Sequence, residues 1–79
     1  LAQCRQAFAN MRALLEEAGG TMADVIKITT FVKDMADFQA FNTARNEAFS
    51  APYPASTIVE VSDFFRPGLL VEIEAMAVL

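Results

Sequence analysis

The sequence contains no histidine, and it has a single cysteine, Cys4. Without histidine, the chain has no imidazole for general acid–base catalysis, for a Ser-His-Asp or Cys-His nucleophile, or for most zinc sites. A lone cysteine forms no disulfide within the chain and gives no sign of an oxidising compartment. We therefore expect a cytoplasmic protein that binds neither a metal nor another cofactor.

Basic residues are scarce as well. Six Lys and Arg stand against ten Asp and Glu, which gives a net charge of −4. This balance argues against electrostatic binding to nucleic acid or to anionic membranes. No apolar run approaches the ~20 residues of a membrane span. We expect no signal peptide within Leu1–Ala18, because charged side chains interrupt it. A start at Leu1 instead of methionine indicates processing or a piece of a longer chain.

Apolar residues are abundant for so short a sequence. Hydrophobic types make up 54% of the 79 residues, with seven Phe and four Met. A chain of this length makes a single domain, residues 1–79, and buries only roughly 60–65% of its unfolded surface. The excess of apolar surface favours self-association.

The spacing of apolar residues predicts two helices. Steps of three and four through Leu1–Ala18 indicate an amphipathic helix, which Gly19-Gly20 ends in a left-handed turn. A second helix is predicted from about Met35 to Phe49, with Asp34 as its N-cap. The prolines within Ser50–Pro54 then break it.

Strict alternation predicts three strands, Asp24–Lys33, Thr57–Ser62 and the run that follows Gly68. The element order is therefore α-β-α-β-β. We expect the first two strands to be joined by a right-handed crossover and the last two to form a hairpin.

Alternation also divides the predicted sheet into two faces. Toward the helices we expect Ile26, Ile28, Val71, Ile73, Ala75, Ala77 and Leu79. On the opposite face we expect Val25, Lys27, Phe31, Ile58, Glu60, Leu70, Glu72, Glu74, Met76 and Val78. That second face mixes carboxylates with apolar side chains and stays partly bare in one chain. Sheet-to-sheet packing of identical subunits in a closed oligomer would cover it.

Four stretches resemble the RidA/YjgF family of enamine/imine deaminases, some of which are described as endoribonuclease L-PSP. They are Ala18–Phe38, Pro52–Ala55, Val59–Val61 and Val71–Ala77. The resemblance implies an α+β, chorismate-mutase-like fold with two helices on one face of a mixed sheet. It further implies a homotrimer with small-molecule sites in the clefts between subunits, and N-terminal strands that this chain lacks. The implied activity is that of a 2-iminobutanoate/2-iminopropanoate deaminase, which releases 2-keto acids and ammonia without a metal.

The resemblance also assigns roles to individual residues. Glu72 matches the family glutamate that positions the water attacking the imine carbon, and so is the expected catalytic residue. Ser56 stands where the deaminases carry the arginine that clamps the substrate carboxylate. Asn42 and Tyr53 match positions near the pocket and are expected to contact the substrate. Since Ser56 supplies no charge, we expect 2-imino acids to bind poorly.

Other interpretations of these residues stay open. Glu72 would instead pair with Lys27 or face a hydrated lumen, while Asn42 would form a local hydrogen bond within its helix. Tyr53 would simply pack in its loop, and Arg66 would replace the missing clamp or remain a solvated turn residue. At the level of function, the alternative is a non-catalytic module that binds a small ligand or serves assembly. A ribonuclease ranks last, because the acidic chain has no histidine.

Overall fold

The structure, a computed structural model, describes residues 1–79 and contains two α-helices and one three-stranded sheet. The elements are α1 (Ala2–Glu17), β1 (Val25–Val32), α2 (Phe38–Ala48), β2 (Ala55–Glu60) and β3 (Val71–Ala77). Short 3-10 turns, Met22–Asp24 and Met35–Asp37, precede β1 and α2. The predicted α+β class and the order α-β-α-β-β are confirmed. No helix of the chain has the length and apolar character needed to cross a membrane.

The sheet has the order β2-β1-β3, with β1 in the centre. β1 is parallel to β2, as the predicted crossover requires, and antiparallel to β3. The predicted hairpin between the last two strands is therefore wrong. The segment between Glu60 and Val71 carries the chain past β1, over two strand spacings of about 4.8 Å each. β3 thereby pairs with the open edge of the most apolar strand, where Val71 lies opposite Val32.

A β-bulge corrects the predicted faces at the start of β1. The pairing with β3 shifts between Val25 and Lys27, so one extra residue enters β1 there. As a result Val25 is buried at 5% exposure, whereas Ile26 is 50% exposed. The prediction placed Ile26 toward the helices and Val25 on the opposite face, the reverse of what is observed, because strict alternation does not allow for an inserted residue. Beyond the bulge the prediction holds, and Ile28 and Val32 are fully buried.

The faces of β2 also differ from the prediction. Ile58 lies beside Thr30 and Glu60 beside Val32, which places both β2 side chains on the helix face of the sheet. Ile58 packs against the core there. The Glu60 carboxylate accepts a hydrogen bond of 2.9 Å from the backbone N–H of Met35. Free N–H groups at the start of a helical segment attract an anion, which accounts for a carboxylate on this face.

The core lies between the helices and the buried face of β1. α1 contributes Cys4, Phe8 and Met11, and α2 contributes Phe41 and Ala44. The ring of Phe8 packs against Phe41 with centroids 6.1 Å apart. Burial raises the pKa of the Cys4 thiol, as expected for a packing residue.

Local signals at the helix ends are confirmed. Gly19 has φ +89°, and the N–H of Gly20 donates to the carbonyl of Leu15 at 2.8 Å. These are the features of a Schellman turn, in which glycine avoids the strain of a left-handed residue. Asp34 caps the second helical segment, because its carboxylate accepts from the N–H of Ala36 at 2.9 Å. Between the helices, Arg5 donates two hydrogen bonds to Glu47, at 2.8 and 2.7 Å.

The sheet face away from the helices is uncovered in the single chain. Its exposed side chains include Val59, Leu70, Glu72, Glu74 and Met76. Leu79, predicted on the helix face, lies past the end of β3 and is exposed. An uncovered mixed face of this kind was the expectation for one subunit of a larger assembly.

Thr30 provides a test of the core. Its side chain is fully buried, and its hydroxyl has no hydrogen-bond partner. Replacing Thr30 with Val removes an unsatisfied buried polar group at nearly constant volume, so Thr30→Val should stabilise the fold by about 1–2 kcal/mol. In thermal unfolding, each kcal/mol corresponds to a rise of roughly 4–8 °C for a domain of this size. Thr29→Val, on the opposite face, is the matched control and should change stability by less than about 0.5 kcal/mol. A destabilised Thr30→Val variant would contradict this account.

Candidate functional site

Glu72 lies on β3, on the face away from the helices. Its neighbour across the sheet is Phe31 of β1, and beyond Phe31 lies Val59 of β2. The exposed carboxylate has no hydrogen bond or ion pair within the chain, whose two salt bridges involve other residues. Lys27 lies four residues along β1 from Phe31, a distance of about 13 Å at 3.3 Å per residue. The alternative pairing of Glu72 with Lys27 is therefore not formed.

Ser56 lies on the other face of the sheet from Glu72. On β2 it is in register with Ile28 of β1, whose side chain is buried beneath the helices. Along the strands, Ser56 is three residues from the row that contains Glu72, or about 10 Å. A single chain therefore does not bring Ser56 and Glu72 together. Arg66 is exposed in the turn before β3, outside the helices and strands. β2, the strand that carries Ser56, contains no Lys or Arg.

Asn42 is half-buried on α2, where it accepts a hydrogen bond of 2.6 Å from Nη2 of Arg45. The local hydrogen bond that was left open for Asn42 is thus present. The Arg45 guanidinium also lies over the ring of Phe41, at 6.0 Å from its centroid. Its Nε is buried without a hydrogen-bond partner. Sequence reasoning gave Arg45 no role, although its spacing of three from Asn42 places the two on one side of a helix.

Tyr53 lies in the loop between α2 and β2. This loop contains a cis peptide bond between Ala51 and Pro52, and a second proline follows Tyr53. The aromatic ring is exposed and does not pack into the core of the chain. Tyr53 is therefore available at the surface, next to the start of β2.

A groove of the chain lies elsewhere. A volume of about 460 Å³ opens at the C-terminal end of α1, where Arg12, Glu16, Met22, Phe49 and Pro52 are among its lining residues. A smaller groove of about 280 Å³ lies between the two helices. None of the four predicted site residues lines either groove. In one chain, these residues therefore do not share either of the two grooves.

A charged pair, Lys33 and Asp63, lies just past the end of β1. Asp63 accepts a hydrogen bond of 2.8 Å from the N–H of Phe64, and Lys33 approaches the same carboxylate oxygen at 3.4 Å. The N–H of Phe64, and secondarily Lys33, hold the pKa of Asp63 below its usual value. Lys33 follows β1 directly, and its backbone N–H donates to the carbonyl of Leu70, two residues before Glu72, at 3.1 Å. Its side chain is paired with Asp63.

Comparison with solved structures defines the class of fold. RidA from Psychrobacter sp. PAMC 21119 superposes with a TM-score of 0.91 at 36% identity, covering 96% of this chain and 61% of that chain. A member of the YjgF/YER057c/UK114 family from Mycobacterium tuberculosis gives a TM-score of 0.92 at 36% identity, covering 96% and 64%. The two helices and the mixed sheet are therefore those of the YjgF structures.

Sequence comparison then gives the family. Residues 1–79 match the family model described as "Endoribonuclease L-PSP", and the chain belongs to this family, the RidA/YjgF family. The 2-iminobutanoate/2-iminopropanoate deaminase of Escherichia coli K12 is 43% identical over 81 residues, covering 98% of this chain and 62% of that protein. A RutC family protein of Pyrococcus horikoshii is 45% identical over 75 residues, covering 95% and 59%. The chain thus spans about three fifths of the length of the curated relatives it matches.

The Asp63 carboxylate gives a pH prediction. Because its folded-state pKa lies below the unfolded value, its contribution to stability is present above the unfolded pKa. That contribution is lost as the pH falls through the folded pKa. In an NMR titration, Lys33→Met should raise the pKa of Asp63 without restoring the ordinary value, since the Phe64 N–H remains. Lys27→Met, a lysine outside the pair, is the control and should leave the titration unchanged. A full return to the ordinary value in Lys33→Met would show that the backbone N–H has no part in the shift.

Proposed function

We propose that the chain hydrolyses small imines, with Glu72 as the residue that orients and deprotonates the attacking water. The supporting observation is the exposed Glu72 carboxylate, which has an aromatic neighbour and no partner within the chain. A carboxylate at the border of an apolar surface becomes an effective general base once a second surface covers it and excludes bulk water. Relatives that are named as deaminases of 2-iminobutanoate and 2-iminopropanoate support this reaction.

The reaction needs one water and no cofactor. Water attacks the imine carbon while one of its protons passes to the Glu72 carboxylate, and Glu72 returns this proton to the nitrogen, which gives a tetrahedral carbon bearing a hydroxyl and an amine. Glu72 then takes the hydroxyl proton as the C=O bond of the 2-keto acid forms and passes it to the nitrogen, which leaves as ammonia while the C–N bond breaks. Glu72 ends in its original ionised state, so the cycle closes without an oxidant or a metal.

The proposed site lies in a cleft between subunits of a homotrimer. Glu72 and Ser56 lie on opposite faces of one sheet, so a cleft lined by both requires two chains. Asn42 and Tyr53 would border it as the remaining substrate contacts. Subunits that pack sheet to sheet also cover the exposed Met76 and Leu70. Assembly and site formation then depend on the same surface.

A second candidate is a non-catalytic module that binds a small ligand in the same cleft. Ser56 favours it, because a serine at the position of the family's carboxylate clamp donates a hydrogen bond but carries no charge. Ribonuclease activity has the least support, since the chain has no histidine and a net charge of −4. An assay that generates 2-iminopropanoate in situ and traps it with semicarbazide separates the candidates. Faster loss of the trappable imine than in buffer supports the enzyme, whereas saturable ligand binding without hydrolysis supports the module.

Assembly has a direct test. Light scattering at micromolar concentration should give about three times the chain mass of 8.6 kDa. Met76→Lys places a charge in the covered face and should dissociate the trimer, because burying an unpaired charge is costly. Leu14→Lys is the matched control, since Leu14 is 69% exposed on α1 and lies away from the sheet face. A monomeric parent chain at this concentration would overturn the trimer and the shared cleft together.

The role of Glu72 is tested against Glu74, which lies on the same strand face two residues on. Glu72→Gln should keep the fold and lower the turnover number by ~10²–10⁴-fold, because an amide orients water but does not accept its proton. Glu74→Gln should change the rate far less. Both variants need unchanged melting temperatures for the comparison to count. The reverse ranking would assign the general base to Glu74.

A further inference from the structure

Arg45 differs from every other basic residue of the chain. Of the six Lys and Arg side chains, five are exposed, and only Arg45 is half-buried. Its guanidinium is held at two points, by the 2.6 Å hydrogen bond from Nη2 to Asn42 and by the Phe41 ring at 6.0 Å. The Nε–H, however, is buried and has no acceptor. Arg45 is therefore a positioned cation with an unused donor.

The position of Arg45 in the sequence of α2 determines the side of the helix on which it lies. The side of α2 that contacts α1 carries Ala44 and Glu47. Asn42 is two residues before Ala44, about 200° around a helix of 3.6 residues per turn. Arg45 lies about 40° from Phe41, whose ring packs against Phe8 of α1, on the side of Phe41 nearer to Asn42. The pair therefore occupies the flank of α2 between its core side and the side opposite α1.

α2 is the crossover that joins the parallel strands β1 and β2, so it lies over the β1–β2 side of the sheet. Glu60, at the end of β2, binds the N–H of Met35 just ahead of α2. Ser56 and Ile58 of β2 point to the same helix face. Arg45, Asn42 and Ser56 therefore belong to one side of the fold.

We propose that Arg45, on α2, binds the substrate carboxylate in place of the cation that is absent at position 56. This inference rests on the proposed function, since it takes the same cleft as the place of binding. The Nε–H and one terminal N–H of a guanidinium form a fork that matches the two oxygens of a carboxylate. A substrate carboxylate would satisfy the Nε–H, which otherwise remains buried and unpaired at a cost in free energy. The charge absent at Ser56 is thus supplied from α2.

Four of the five remaining cations are paired or lie elsewhere, and the fifth, Arg66, is exposed in the turn before β3. Arg5 is paired with Glu47 and Lys33 with Asp63. Arg12 lines the groove at the end of α1. Lys27 lies on the opposite face of the sheet from Ser56. Carboxylate binding near Asn42 therefore has one candidate cation within the helices and strands.

The experiment measures binding of 2-oxobutanoate, a stable 2-keto acid, by calorimetric titration. Its uncharged analogue is the methyl ester of the same acid. Arg45→Met keeps the apolar stem and removes the charge, and Arg45→Lys keeps the charge but removes the fork. The control is Arg12→Met, which removes a cation outside the proposed site. All variants are compared at matched melting temperature and oligomeric state, with Arg45→Lys as the readout if Arg45→Met does not fold.

The expected result is a loss of 2-oxobutanoate affinity of roughly ten- to hundredfold in Arg45→Met and a smaller loss in Arg45→Lys. Affinity for the ester should be unchanged, and Arg12→Met should behave as the parent chain. Equal binding of 2-oxobutanoate by the parent and Arg45→Met would overturn the assignment of Arg45. No binding of 2-oxobutanoate by the parent chain would also overturn it.

Neither result tests imine hydrolysis, which the semicarbazide assay measures separately. Conversely, Arg45-dependent binding without hydrolysis would support the carboxylate site and reject the enzyme.

Discussion

The pairing of β1 on both of its edges is the constraint on which the rest of the structure depends. β1 joins β2 in parallel and β3 antiparallel, so every residue of the sheet takes its face from its register with this strand. Ile28, Thr30 and Val32 are fully buried on one side and fix where the helices pack. A shift of one residue would exchange the two faces of a strand. The placement of Glu72 on the face away from the helices, and of the exposed Ser56 on the helix face, follows from this register.

The two faces of the sheet carry different kinds of polar side chain. The helix face combines core packing with polar groups at its border, namely Glu60, Ser56 and the Arg45–Asn42 pair. The opposite face carries the free carboxylates Glu72 and Glu74 among exposed apolar side chains. Because a sheet separates them, groups from the two faces meet only where one subunit packs against another. In the proposed trimer, the quaternary arrangement is therefore part of the site geometry.

Much of this fold is predictable from the sequence, and the failures have physical causes. The 3.6-residue stripe, the glycine turn and the Asp34 cap are local signals, so both helices were predicted close to their observed bounds. Strand pairing depends on distant residues, and for that reason the hairpin prediction was wrong. Alternation separates the residues of a strand into two faces but does not show which face meets the helices. For this reason Ile58 and Glu60 were predicted on the wrong face. The bulge at Ile26 and the hydrogen bond between Arg45 and Asn42 depend on the three-dimensional arrangement and have no signal in the local sequence.

The Arg45–Asn42 pair shows how such a fold can move a charge without changing its backbone. A cation on the edge strand and a cation on the α2 flank approach the same side of the sheet from different elements. On α2 the guanidinium is stabilised by Asn42 and by the Phe41 ring. Under the proposal that Arg45 binds the substrate carboxylate, a neutral serine is tolerable at position 56, since anion binding does not depend on that strand. Loss of a family side chain at one position is for this reason weak evidence for loss of the chemistry.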